Sequence, residues 1–142
     1  MDIYYKSISE SGKQMINYVC KYAPVELFKG FGQECAVLEE MPENFDKSDK
    51  IAHANLCGFG KSVIQAVLEG KVEELVLVNC CDSMRRVYDI IENTKKCKFL
   101  YMLDLPHEDN ECENIKFAQS ILRLKKAYER YSHRTFDREL FI

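Results

Sequence analysis

The sequence predicts a doubly wound α/β domain, in which a mostly parallel sheet lies between two layers of helices. Short apolar segments rich in β-branched and aromatic residues alternate with segments whose apolar residues recur every three or four positions. The connections are short, which is typical of repeated strand–helix–strand units. A length of 142 residues with 46% hydrophobic residues suits one domain with one core.

The first half of the chain predicts two strands and a short helix. Residues 15–20 form an apolar run that predicts the first strand. Residues 25–31 predict a brief helix that ends near Gly30, a plausible C-terminal cap. Residues 35–38 predict the second strand, and the polar segment 42–50 is typical of a turn.

The second half predicts helices and strands in strict alternation. Residues 53–69 have one apolar helical face, and residues 75–78 are an apolar, β-branched run typical of a strand buried on both faces. Residues 82–93 repeat the helical pattern, and residues 99–103 predict another buried strand. Residues 111–131 predict a long amphipathic helix. This order is that of a Rossmann- or flavodoxin-like three-layer domain.

Composition and charge narrow the class of protein. The formal net charge is −3 and the pI is near 5.7, which argues against nucleic acid as a partner. No apolar run reaches the length of a membrane span, and the N-terminus lacks the pattern of a signal peptide. We therefore expect a cytoplasmic protein without a membrane partner.

Seven cysteines are more than packing requires. The odd number and the missing signal peptide argue against a disulfide framework, so the thiols are small core residues, metal ligands or redox groups. No C-x-x-C pair or zinc-type spacing occurs. Cys20 and Cys35 fall on predicted strands, where we expect packing roles.

Two cysteine segments are predicted to lie where sites form in a parallel sheet, beyond the carboxyl ends of the strands. Cys57 is near the start of one predicted helix, and Cys80-Cys81-Asp82 joins a strand to the next helix. Free backbone N–H groups and the helix dipole at such positions favour a thiolate. Gly58 and Gly60 would allow the backbone to approach a bulky inorganic group. The alternative is that these thiols only fill space in the core.

Basic residues have two interpretations. Arg85-Arg86, in the first turn of a predicted helix, could meet an anionic substrate or partner, but a solvated helix face is the simpler role. The stripe Arg123, Lys125, Lys126, Arg130 and Arg134 is typical of the wet side of an amphipathic helix.

Three segments together resemble a known family. Residues 24–32 resemble the Pro-x-Glu-Leu element, residues 56–62 the first cluster-ligand segment, and residues 76–86 the strand–Cys-Asp–helix segment of the 2-hydroxyacyl-CoA dehydratases. This family includes the benzoyl-CoA reductase subunits and the double-cubane cluster proteins. The resemblance implies that residues 1–142 are a single α/β domain, corresponding to the N-terminal domain of a longer two-domain architecture.

The resemblance also implies a function. Family members bind a [4Fe–4S] cluster or a double-cubane cluster through three cysteines per subunit. By position, Cys57 and Cys81 match two of these ligands, with Gly58, Gly60 and Asp82 around the cluster. Cys80 has no counterpart, and the third ligand is expected outside this chain.

The implied reaction is low-potential electron transfer or radical reductive dehydration of a CoA thioester, by a lyase or by an ATP-activated reductase component. The implied partners are an ATP-dependent iron–sulfur activator protein and either a homologous subunit or a C-terminal domain. Two alternatives stay open from the residues alone. One is a non-catalytic α/β interaction domain, or truncated remnant, with packing cysteines only. The other is a thiol redox or flavodoxin-like module that uses Cys80-Cys81.

Overall fold

The computed structural model describes residues 15–38 and 42–141, and a four-stranded sheet forms the centre of this part of the chain. The strands are β1 (Ile16–Tyr18), β2 (Cys35–Val37), β3 (Glu74–Val78) and β4 (Phe99–Leu103). They are parallel and lie in the order β2-β1-β3-β4. The predicted parallel sheet is therefore confirmed.

Helices follow the strands, and the sequence pattern predicts all of them except the second and the last. They are α1 (Val25–Lys29), α2 (Ser48–Ile51), α3 (Gly58–Leu68), α4 (Asp82–Thr94), α5 (Glu111–Ser132) and α6 (Arg138–Phe141). The C-cap residues of α4 and α5 are Lys95 and His133, and both adopt the left-handed conformation that closes many helices.

Two apolar cores, one on each face of the sheet, confirm the three-layer arrangement. On one face, α3 and α4 cover the side chains of Leu75 and Leu77. On the other face, α1 and α5 cover Ile16, Val76 and Leu103. Successive side chains of β3 point into opposite cores. Because helices cover both faces of this parallel strand, no side faces solvent, and every residue of the strand after Glu74 is apolar.

An aromatic cluster closes the amino end of the sheet, which is the end where the parallel strands begin. The ring of Tyr128, 1% exposed, meets Phe28, Phe31 and Phe99 edge-on, with centroids 5.2, 5.0 and 5.2 Å away. Edge-to-face contacts of this kind add to the hydrophobic contribution of each ring. They fix the C-terminal half of α5 against α1 and the start of β4.

The prediction that a helix begins at residue 53 is wrong by one turn and a half. The helix α3 begins at Gly58, because residues 53–56 form a separate turn in which the N–H of Asn55 donates to Nδ1 of His53. Leu56 is nevertheless buried. This apolar residue fits the helical spacing of the sequence although it lies outside the helix.

The segment predicted as a turn at 42–50 contains the beginning of a short helix, α2. The side-chain oxygen of the buried Gln65 accepts hydrogen bonds from the N–H groups of Lys47 and Ser48, at 3.1 and 2.9 Å. A residue of α3 thus satisfies the otherwise free N–H groups at the start of α2.

Candidate functional site

The strand order creates a crevice at the carboxyl end of the sheet, which is the end where the parallel strands stop. From β1 the chain moves to β2 on one side, and it then returns through α3 to β3 on the other side. The connections after β1 and β3 therefore leave the sheet in opposite directions. In open α/β sheets this topological switch point is the usual place for a ligand.

Two of the predicted site cysteines stand at helix starts that face this end. Cys57 is the N-cap residue of α3, and Cys81 is the N-cap residue of α4; both are exposed. The N-cap position places a side chain beside backbone N–H groups that have no partner within the helix.

The thiol of Cys57 is held in a setting that favours its anionic form. Hydrogen bonding to the Ser83 side chain is the largest cause that lowers its pKa below the ordinary value, and the N–H of Gly60 adds a hydrogen bond at a distance of 3.3 Å to the sulfur. Ser83 is the second residue of α4, so Cys57 lies beside the start of that helix. The structure thus brings Cys57 into the neighbourhood of Cys81.

Two further thiols, those of Cys20 and Cys80, belong to the same end of the sheet. Cys20 follows the end of β1 by two residues, and Cys80 follows the end of β3 by two residues. Burial against its surroundings, followed by the neighbouring thiols of Cys20 and Cys81, raises the pKa of Cys80 to about 11. The prediction that Cys20 lies on a strand is therefore wrong, since it lies beyond β1 and beside Cys80.

The remaining cysteines separate by position. Cys35 begins β2 and Cys97 precedes β4, so both lie at the amino end of the sheet. Burial raises the pKa of each of these thiols to about 12, which suits the packing role expected for Cys35. Cys112 is exposed in the first turn of α5.

The two glycines of the predicted site have different surroundings. A Cβ at Gly58 would meet nothing within 4 Å, which leaves open space beside Cys57. A Cβ at Gly60 would lie 3.1 Å from Cγ2 of Val87 and 3.2 Å from Cγ of Leu56. Gly60 therefore allows α3 and α4 to approach closely, in addition to its N–H contact with Cys57. Asp82, the first residue of α4, is exposed beside Cys81.

These residues fit two ligands of an iron–sulfur cluster, but they do not enclose a single metal ion. Within residues 15–38 and 42–141, no group of three Cys, His, Asp or Glu side chains could hold one ion. The cysteine ligands of a four-iron cluster bind different iron atoms, so they stand farther apart than the ligands of one ion. Two exposed thiols at neighbouring helix starts, with open space at Gly58, suit such a group.

A cleft of about 480 Å³, which none of the site cysteines lines, lies at the carboxyl ends of β3 and β4. Its lining includes Asn79, directly after β3, Asp104, directly after β4, and the side chains of Arg85 and Arg123. The sequence pattern placed both arginines on solvated helix faces as their simpler role. The position of Arg85, four residues after Cys81 in the first turn of α4, is a signal that could have found this arginine, whereas the sequence carries no such signal for Arg123.

Comparison with known proteins gives one family. The model of the family described as 2-hydroxyglutaryl-CoA dehydratase, D-component, matches residues 20–141. No curated protein sequence matches the chain. Among the helices of the described residues, none combines the length and the apolar character that crossing a bilayer requires.

Proposed function

The chain belongs to the 2-hydroxyglutaryl-CoA dehydratase D-component family, and on that premise we propose that it binds an iron–sulfur cluster as part of a 2-hydroxyacyl-CoA dehydratase-type component. Its role is low-potential electron transfer or radical reductive dehydration of a CoA thioester. One observation carries the proposal: Cys57 and Cys81 are the exposed N-cap residues of two neighbouring helices at the switch point of the sheet.

The residues around these thiols suit ligation. A cysteine binds iron as the thiolate, and the Ser83 side chain together with the N–H of Gly60 lowers the pKa of Cys57. The same N–H groups at the start of a helix can donate to a bound sulfur and so adjust the reduction potential. The [4Fe–4S] or double-cubane cluster, when bound, supplies a single electron at low potential.

The proposal includes partners. The third cysteine ligand comes from a homologous subunit or a C-terminal domain, and an ATP-dependent iron–sulfur activator protein delivers the electron. The exposed position of Cys57 and Cys81 leaves the site accessible to both.

Anaerobic reconstitution of the full chain with iron and sulfide, alone and together with a homologous subunit that supplies the third cysteine, tests the proposal. We expect iron and acid-labile sulfide in similar amounts, a visible charge-transfer band and an EPR signal after reduction. Cys57→Ala and Cys81→Ala should each abolish the band, because each removes a thiolate ligand.

Cys35→Ala and Cys97→Ala are the matched controls, since both remove a thiol at the opposite end of the sheet. Both control variants should retain iron and the EPR signal. Equal loss of iron in all four variants would contradict the proposal. So would the absence of iron from the unaltered chain both alone and together with a homologous subunit that supplies the third cysteine. The second result would favour an α/β interaction domain whose cysteines serve packing.

A further inference from the structure

Two arginines from different helices line the same cleft. Arg85 lies in the first turn of α4, and Arg123 lies in the middle of α5. Both line the cleft of about 480 Å³ beyond the carboxyl ends of β3 and β4. Clefts with a few converging polar groups are the usual form of a small-molecule site.

Neutral groups hold Arg85 in place. Its Nε donates to Oδ1 of Asn79 at 2.8 Å, and Nδ2 of Asn79 donates to Oδ1 of Asp104 at 3.2 Å. The N–H of Asn79 also donates to the carbonyl oxygen of Leu103 at 2.9 Å, which fixes Asn79 between β3 and β4. The bond to Asn79 uses Nε, and within residues 15–38 and 42–141 no group accepts from the Nη groups of Arg85, which keep their donors for a ligand.

Neutral groups hold Arg123 as well. Its Nη2 donates to Oγ of Ser120 at 3.0 Å, and that hydroxyl donates to the carbonyl oxygen of Lys116. The guanidinium group also lies near the hydroxyl of Tyr101. Burial raises the pKa of Tyr101, and the charge of Arg123 and its hydrogen bond to the hydroxyl oppose this effect. The position of Arg123 is therefore set by uncharged oxygens.

The charge in the cleft is not balanced by its own carboxylates. Lys116 pairs with Glu113 at 3.1 Å. Among the described residues neither Arg85 nor Arg123 forms an ion pair, and Asp104 is the remaining acidic group of the lining. Two guanidinium groups, fixed in advance and facing one carboxylate, leave room for a further negative charge.

We propose that this cleft binds an oxyanion, a carboxylate or a phosphate group, between Arg85 and Arg123. Guanidinium groups form paired, charge-assisted hydrogen bonds with both kinds of anion. Preorganisation by Asn79 and Ser120 reduces the entropy that such binding would otherwise lose. The proposal does not depend on a bound cluster, because none of the four residues is a cysteine of the switch point.

Isothermal titration of the cluster-free chain at low salt tests this site with two probes, inorganic pyrophosphate and succinate. Arg85→Gln and Arg123→Gln should each weaken the better probe by at least about tenfold, since each removes a charged hydrogen-bond donor. The probe that binds better identifies the source of the anion as a phosphate or a carboxylate.

Arg86→Gln and Arg130→Gln are controls that remove the same charge from exposed positions of the same two helices, outside the cleft. They should leave the affinity within about twofold, because neither side chain lines the cleft and neither can donate a hydrogen bond to an anion bound there. Equal weakening in all four variants would show attraction to net charge only and would overturn the proposal. Failure of the unaltered chain to bind either probe would overturn it too, whatever the result of iron reconstitution.

Discussion

The two ends of the sheet use the same residue types for different purposes. At the amino end, Cys35 and Cys97 are partly covered, and burial raises the pKa of each thiol to about 12. At the carboxyl end, Cys57 and Cys81 are exposed, and hydrogen bonds lower the pKa of Cys57. Position relative to the strand direction thus separates the packing thiols from those available for chemistry.

One aromatic cluster and one pair of arginines also distinguish the two ends. Tyr128 and its ring partners seal the amino end. The carboxyl end has the cleft that Arg85 and Arg123 line. The closed end provides rigidity, and it leaves the other end free to present helix starts, thiols and guanidinium groups.

The largest expected effect is a difference in thiol reactivity. At pH 8, a thiol with a pKa of about 12 is ionised in only about one part in 10⁴ of molecules, as for Cys35 and Cys97. The pKa of Cys57 lies below its ordinary value of 9.0, so its ionised fraction is larger by at least about 10³. Iodoacetamide labelling followed by peptide mass spectrometry should show Cys57 modified at least about 10³ times faster than either buried thiol.

Unfolding in urea provides the control for this labelling experiment, because the labelling rates of Cys35, Cys57 and Cys97 should become similar in the unfolded chain. Ser83→Ala should slow the labelling of Cys57 at pH 7 without changing that of Cys97. Similar labelling rates for Cys57 and Cys97 in the folded chain would contradict the proposed difference in thiol reactivity between the two ends of the sheet.

A smaller effect concerns the packing beneath the site. Gly60→Ala places a methyl group 3.1 Å from Val87 and 3.2 Å from Leu56, so we expect a loss of about 1–3 kcal/mol in the free energy of unfolding. Gly58→Ala meets no neighbour within 4 Å, and it should be neutral or stabilising by up to about 1 kcal/mol. Urea denaturation of both variants measures the difference.

Because these two glycines lie two residues apart in one helix, each variant is the control of the other. Equal changes in stability would mean that helix propensity, and not the contact between α3 and α4, determines the effect of Gly60. The same result would weaken the argument that close helix packing positions Cys57.

The sequence pattern alone was sufficient to predict much of this arrangement. Alternating strands and helices predicted a parallel sheet, and the position of a cysteine after a buried strand placed Cys81 at the start of α4. Cys57 was expected near a helix start, although the start itself was misplaced. These predictions succeeded because they depend on local periodicity and on the general geometry of parallel sheets.

The features that the sequence pattern does not predict depend on contacts between residues far apart in the chain. The strand β1 has only three residues, so its end, and with it the position of Cys20, is set by pairing with β2 and β3. The helix α2 depends on Gln65, which lies seventeen residues after Ser48. Arg85 and Arg123 share a cleft although they are far apart in the chain, and periodicity carries no signal of such a pair.

The smallest expected effect lies at the amino end of the sheet, in the buried carboxyl group of Glu74. The residue is 6% exposed, and its Oε2 has no hydrogen-bond partner among the described residues. Burial raises the pKa of this carboxyl group, although a hydrogen bond with Tyr131 and the charge of Arg134 oppose the effect. The folded chain therefore binds a proton more tightly than the unfolded chain, so stability falls as the pH rises from the unfolded pKa through the folded one.

Glu74→Gln removes this pH dependence and keeps an oxygen that can accept from Tyr131. We expect the variant to be more stable than the unaltered chain by about 1 kcal/mol at pH 7, with the gain disappearing near pH 4. Urea denaturation at both pH values measures it. Glu73→Gln is the control, because Glu73 is partly exposed and pairs with Lys98 at 3.1 Å, so its loss should not stabilise the chain at pH 7. An equal gain in stability for Glu74→Gln at both pH values would show that the shape of the side chain, and not its charge, determines the effect. The amino end would then exclude ionised carboxylates no better than the carboxyl end does.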